Sequence, residues 1–354
     1  MGKKHLTFYG AVLAVLGVLV YVQFRTWRDF DWATFWGQTD QVHKGHILCG
    51  IALTYLAYVM RAIRWKLFLQ PVRRQTSVVS LLQPTLVGFT ALALLGRPGE
   101  LIRPYLIARR TSLPFSSQLA VWAVERIFDV GAFTVLLVLS IFFAAGPKQL
   151  AYYTNFRDAG FLLIGLVTAL TLGALAVSLR GEALADWVQR RFAHSAANLG
   201  QRIALRIREF RGGLNTIHSA ASLLQLIAVS VGMWYFIALA YQQVTYSYGV
   251  QVLHLPVSET LLLMGSSMVG SMVQLPGVGG GSQLATIATL QHVFGVPHEL
   301  AASCGILLWL VTFVSVVPVG LLLAHRERLS LRKLSEESHR EEEAGVVPSA
   351  PPAG

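Results

Sequence analysis

The chain alternates between long uncharged apolar runs and short stretches where charge, glycine and proline concentrate. The runs fall at 6–24, 46–69, 78–95, 118–145, 160–179, 221–248, 257–275 and 300–324, with a weaker one at 281–294. A bilayer-crossing helix needs about 20 apolar residues. Stretches such as 6–24 (LTFYGAVLAVLGVLVYVQF) and 160–179 (GFLLIGLVTALTLGALAVSL) meet that length without a charge. The pattern predicts an all-α polytopic membrane protein. Lys3 and Lys4 precede the first run, as they would in a signal peptide. That run exceeds the usual apolar region of about 7–15 residues, and no small-residue cleavage site follows it. It is read as an uncleaved first span.

Placing the basic clusters on one side constrains the path. They lie at 61–74 (Arg61, Arg64, Lys66, Arg73, Arg74), at 180–211 and at 326–333, and the positive-inside rule makes all three cytoplasmic. The connections 146–159 and 246–256 are nearly charge-balanced and face outward. If 61–77 and 109–117 are both cytoplasmic, segment 78–109 must leave by the side it entered, as a broken hairpin with Gly96, Pro98 and Gly99 at its tip. Counting onward, segment 257–295 must also turn back, at the break QLPGVGGGSQ (274–283). The expected architecture is about six full spans plus two re-entrant hairpins entering from opposite faces, an inverted-repeat arrangement that points to a binding site near the midplane. The alternative keeps 78–95 and 257–275 as ordinary spans, with 97–116 a positive external loop.

Composition narrows the class further. Charged residues are 13% of the 354 and hydrophobic ones 54%, against about 25% charged in an average globular chain. A net charge of +11 on a soluble protein would suggest nucleic acid; here the basic residues sit between spans and act as topology signals, so no nucleic-acid partner is expected. Cys49 and Cys304 both lie in apolar runs, which argues against a structural disulfide. Residues 198–214 (NLGQRIALRIREFRGGL) repeat Ile203, Ile207, Phe210 and Leu214 at helical spacing, with Arg202, Arg206 and Glu209 on another face. This is a basic amphipathic helix suited to anionic inner-leaflet lipids, or else a plain solvated linker. The tail after Leu334 is charged and then Pro/Ala-rich, as disordered segments are. The expected division is a membrane domain at 1–325 and a cytoplasmic tail at 326–354, both termini being cytoplasmic.

Ionisable residues inside a span cost about 2.5–3.5 kcal/mol on insertion scales and persist where they are paired or line a polar path. One candidate group is LLGRPGELIRPYLIARR (94–110), in which Arg97, Glu100 and Arg103 follow an apolar run at i,i+3 spacing. Two guanidinium groups beside the start of a half-helix suit phosphate. A second is AVERIFDV (123–130), where Glu125 and Asp129 share a helix face and Arg126 reaches Asp129 at i,i+3; the alternative is a set of snorkelling charges at a helix end. A third is the glycine-rich break, where Gly277, Gly279 and Gly280 expose backbone and Gln274, Ser282 and Gln283 add neutral hydrogen-bonding groups. No strand precedes it and no Lys-Ser/Thr follows, so it is not a nucleotide loop. The histidines show no metal-ligand spacing, and no nucleophile-elbow, Walker or zinc-protease motif is present. No cofactor and no catalytic residue are called for.

With RAIRWKLFLQP (61–71), LLGRPGELIRPYLIARR (94–110), VERIFDV (124–130) and LPGVGGGSQLATIATL (275–290) in view, the chain resembles the integral membrane domain of lysylphosphatidylglycerol synthase/flippase proteins over about residues 8–325. The Gly-Arg-x-Gly-Glu-x-x-Arg pattern is the most specific of these. The resemblance implies a multi-pass cell-membrane protein that handles a phospholipid or polyprenyl-linked lipid. The sequence ends at Gly354 without the soluble aminoacyl-transferase domain that relatives carry, so synthase activity is not expected. Many relatives have a glutamate in the last motif where Ser282 and Gln283 stand here, which weakens any expectation of a cationic head group. The leading expectation is a lipid translocator in which Arg97 and Arg103 engage the phosphate while Glu100, Glu125 and Asp129 tune the charge or contact a cationic or sugar head group. The alternatives are an accessory subunit docking a lipid- or glycan-modifying enzyme, and a lipid-dependent transferase; whether one chain or a homodimer forms the path is left open by the sequence.

Overall fold

The computed structural model describes residues 31–326 apart from 72, 74, 145–152, 193–196, 215–218 and 272–279. The expected first span at 6–24 and the tail from 327 lie outside the described residues. The elements, in chain order, are α1 (Trp32–Asp40), α2 (Lys44–Leu69), α3 (Val78–Leu95), a 3-10 turn (Arg97–Leu101), α4 (Ile102–Thr111), α5 (Phe115–Phe143), α6 (Tyr153–Phe192), α7 (Ala197–Leu214) and α8 (Ala220–Tyr246). A second 3-10 turn (Gln251–Leu253) leads to α9 (Val257–Gly270), α10 (Gly281–His292), α11 (His298–Trp309), a π-helical turn (Leu310–Val314) and α12 (Val316–Arg326). No strand occurs among the described residues. The protein is an all-α polytopic membrane protein.

Five described segments are long and apolar enough to cross a bilayer: α2, α3, α5, α8 and the continuous His298–His325 stretch. Large apolar side chains such as Leu139, Phe143, Phe161 and Leu162 stand exposed on α5 and α6, as a lipid-facing surface requires and a water-facing one does not. The predicted run 160–179 lies within α6, whose helical geometry breaks at Arg180 (φ −127°, ψ 19°), where the apolar run stops. Local chemistry sets several starts: the Ser77 hydroxyl accepts from the Ser80 N–H at 3.1 Å and the Ser219 hydroxyl from the Ser222 N–H at 3.1 Å, capping α3 and α8.

Cross-contacts give the direction of each helix. α2 and α8 run antiparallel: His43 N–H donates to Ser247 O (2.7 Å) at one end, and Arg64 donates to the Ser230 hydroxyl (3.1 Å) toward the other. The end where α2 begins is termed upper, and the end where it finishes lower. α5 rises, because the Ser140 hydroxyl near its finish donates to Ser258 O at the start of α9 (2.7 Å). α11 begins at the upper end, where Ser303 meets Tyr248 (2.7 Å). α12 finishes at the lower end, with Ala324 in the same cluster as Phe115.

α3 could cross by length, yet the chain does not continue beyond its tip. Arg110, at the end of α4, donates to Ser80 O and to Gln83 Oε1 (both 3.0 Å) at the start of α3. The pair is a hairpin opening downward, and its second arm, at ten residues, is about 15 Å long and too short to cross. α9 and α10 form a second hairpin opening upward, with arms of 14 and 12 residues. The two reversals thus come from opposite ends, at the places the charge pattern predicts.

Candidate functional site

Glycine makes both hairpins possible. Gly96 ends α3 at φ 70°, ψ −148°, and Gly280 precedes α10 at φ 65°, ψ −132°. A side chain is disfavoured in that conformation. The arms then close without side chains between them: a Cβ on Gly88 would lie 2.5 Å from the Arg103 Cβ, one on Gly99 would strike the Ala91 backbone, and one on Gly270 the Gly281 carbonyl. The two hairpins touch where Arg97 Nη2 donates to Ser271 O, at the end of α9 (3.2 Å). Arg97 also pairs with Glu100 at 3.5 Å and keeps 56% of its side chain exposed.

Below the α3–α4 tip lies a buried ionic network. Arg64 is fully buried and forks between two carboxylates, Nη2 to Glu125 Oε1 at 2.5 Å and Nη1 to Asp129 Oδ1 at 2.7 Å. Arg103 grips Glu125 with both terminal nitrogens, Nη1 to Oε1 at 3.0 Å and Nη2 to Oε2. The Trp65 indole donates to Glu125 Oε2 (3.1 Å) and the Trp234 indole to Asp129 Oδ1 (3.3 Å). Arg126 lies 2.8 Å from Asp129 Oδ2, and Arg61 lies 3.8 Å from the same oxygen. Arg61 stacks over Phe89 (4.8 Å to the ring centre) and Arg103 over both Trp65 and Phe89 (5.3 Å each), an arrangement that replaces lost hydration with ring quadrupoles.

Four guanidinium groups therefore surround two carboxylates. Arg64 and Arg103 are committed to those carboxylates and shielded, whereas Arg126 keeps 40% of its side chain exposed. Asp129 stands 14 residues from each end of the Phe115–Phe143 helix, about 21 Å from either end at 1.5 Å per residue.

A second feature sits in the upper half. A cavity of about 90 Å³ is lined by Tyr241 of α8, Ser267 of α9, Ser282 and Gln283 of α10, Trp309 of α11 and Thr312 of the π-helical turn. Its walls meet closely, since a Cβ on Gly305 would fall 2.7 Å from Ile287 Cγ1. The Tyr241 hydroxyl donates to the Ser267 hydroxyl at 3.2 Å.

The predicted residues thus divide. Arg103, Glu125, Arg126 and Asp129 come together in one network; Arg97 and Glu100 sit at the hairpin tip beside it; Ser282 and Gln283 line the upper cavity, and Gly280 forms the backbone reversal. Gln274, Gly277 and Gly279 lie outside the described residues. Arg61 and Arg64, grouped by the charge pattern with the cytoplasmic loop charges, are instead buried in α2 against α5. They were legible in principle: both fall inside the apolar run 46–69, one to two turns before its end. Ser230 and Trp234, neutral partners on α8, carry no such signal.

The comparisons with known proteins agree with this picture where they find a match. The chain matches no curated protein and no solved structure. The family model described as the lysylphosphatidylglycerol synthase TM region matches residues 9–320, nearly all of the helical bundle. The chain belongs to that family, whose function is tied to membrane lipid.

Proposed function

We propose that the protein binds a phospholipid or polyprenyl-linked lipid by its phosphate and moves it across the cytoplasmic membrane without altering it covalently. The observation that carries this reading is the charge imbalance: four buried or half-buried guanidinium groups against two carboxylates, midway along α5 and beside the α3–α4 hairpin. Uncompensated charge at that depth is costly, and a phosphate would supply the missing negative charge through charge-assisted hydrogen bonds. Arg126 and Arg97 keep the exposed guanidinium groups and are the phosphate ligands in this reading. Arg64 and Arg103 position Glu125 and Asp129, and Glu100 tunes the pair at the tip. In this reading the lower end, where Arg73, Arg109 and Arg110 lie, is the cytoplasmic one. In the same reading α7, tied to α6 by Arg208 with Asp186 (2.7 Å) and Glu182 (3.2 Å), rests on the inner leaflet.

The test is transbilayer movement of fluorescent anionic phospholipid in vesicles containing the full chain. Replacing Arg97 and Arg126 together with Ala is expected to slow movement about tenfold or more, the worth of losing at least one charge-assisted bond. An unchanged rate overturns the reading. A second reading rests on the exposed Trp187 and Leu199 of the α6–α7 pair: an accessory subunit docking a lipid-modifying enzyme. It predicts the loss of a co-purifying partner, with translocation intact, when both are changed to Ser.

A further inference from the structure

The guanidinium groups of the network are not equally engaged. Arg64 donates hydrogen bonds to Asp129 and Glu125, and Arg103 donates to Glu125. Arg61 and Arg126 donate none among the described residues. Both face Asp129 Oδ2 as ion pairs, Arg61 at 3.8 Å and Arg126 at 2.8 Å, and Arg126 also lies 3.5 Å from Glu125 Oε2. Asp129 Oδ2 is buried and accepts no hydrogen bond, and the Arg126 Nε is buried without an acceptor. Arg61 is held in place by rings: its guanidinium lies over Phe89 of α3 (4.8 Å) and Trp234 of α8 (5.8 Å), and 9% of its side chain is exposed. Rings replace only part of a cation's hydration, and a fork of donors left without acceptors at that depth is costly. The charge count points the same way. Arg61, Arg64, Arg103 and Arg126 carry four positive charges against two negative ones on Glu125 and Asp129, an excess of two. The Arg97–Glu100 pair at the tip adds no net charge.

We infer that Arg61 and Arg126 together take a doubly charged phosphate, a terminal phosphomonoester, in preference to a singly charged phosphodiester. The inference rests on the proposed lipid-phosphate reading and adds to it the kind of phosphate, with Arg61 as a further ligand. A monoester offers three terminal oxygens and a charge of about −1.5 to −2 at neutral pH. Three oxygens can occupy two planar forks at once, and two negative charges cancel the excess. A diester brings one charge and two such oxygens, which leaves a buried positive charge without compensation. The charged groups facing this position are Arg61 and Arg64 of α2, Arg103 of α4, and Glu125, Arg126 and Asp129 of α5; α8 contributes the neutral Ser230 and Trp234.

The test uses the full chain in detergent micelles and native mass spectrometry with two probes of identical acyl chains. Phosphatidic acid is a monoester, and phosphatidylmethanol is a diester whose only addition is a methyl group. At about pH 7.5 the wild type is expected to prefer phosphatidic acid about tenfold, the worth of one further charge-assisted hydrogen bond. At about pH 5, below the second pKa of the monoester, both lipids carry one charge and the ratio is expected to fall within about twofold of unity. Both lipids meet the same protein charges, so the ratio follows the ligand. Arg61→Gln is expected to collapse the ratio at the higher pH, and Arg61→Lys to restore part of it by keeping the charge. If the wild type binds both lipids equally at both pH values while the Arg97/Arg126 double variant loses both, the monoester inference fails and the phosphate reading stands. A wild-type preference that Arg61→Gln leaves intact removes Arg61 from the site and also overturns the inference. If the wild type binds neither probe, both readings fail.

Discussion

Arg64 and Glu125 meet at 2.5 Å with both side chains wholly shielded, on two helices separated by some sixty residues of chain. This contact, with the arm Arg64 extends to Asp129, fastens α2 to α5 in the interior. Removing one partner of a buried pair leaves the other charge without compensation, which is the expensive outcome.

Arg64→Ala is accordingly expected to destabilise the fold by about 3–5 kcal/mol, seen as a large drop in melting temperature in detergent. Arg64→Lys should recover only part of the loss, because a point charge cannot fork to both carboxylates. Equal melting temperatures for the lysine variant and the wild type would contradict the forked geometry.

Arg103 and Glu125 share two hydrogen bonds, so their contributions should not add. In a cycle of Arg103→Met, Glu125→Gln and the double variant, a coupling energy of about 1–3 kcal/mol is expected. Additive effects in chemical denaturation would show that Arg103 acts elsewhere, as a direct phosphate ligand would.

The glycine contacts predict a contrast within ordinary-looking substitutions. Gly88→Ala presses on Arg103 and is expected to cost about 1–3 kcal/mol. Gly131→Ala, with nothing within 4 Å of the added carbon, should be neutral or stabilising by up to about 1 kcal/mol. Equivalent melting shifts for the two would argue against close packing of α3 on α4.

Hairpin topology can be read by cysteine accessibility in intact vesicles after Cys49→Ser removes the exposed native thiol. Val79→Cys and Ser112→Cys are expected to react from one face and Val250→Cys from the other. Ser112 labelling from the face opposite to Val79 would restore an ordinary crossing at 78–95.

Much of this fold was legible because lipid imposes a coarse code. Apolar length gave the spanning helices, and the distribution of arginine forced two reversals, the first of which is reproduced by the contacts of Arg110 with Ser80 and Gln83. The site was only half legible. Glu125, Arg126 and Asp129 stand out as charges in an apolar run, but the same logic sent Arg61 and Arg64 to a loop, because charge near the end of a run reads alike whether it snorkels or turns inward. Which of the two occurs depends on an acidic partner sixty residues away, and no local pattern records that. Arg103 shows the complementary limit: sequence gave its chemistry, while the structure gave its prior engagement by Glu125.

The two hairpins, each stitched along its length by glycine, behave mechanically as solid wedges driven toward one another from opposite surfaces. Where their described residues touch stands a guanidinium–carbonyl hydrogen bond, Arg97 to Ser271, worth about 1.5–3 kcal/mol at most. Stiff bodies joined by a soft contact concentrate any displacement at the joint. The seam at Arg97 and Ser271 is therefore a place where the two wedges can part while the packing inside each stays intact.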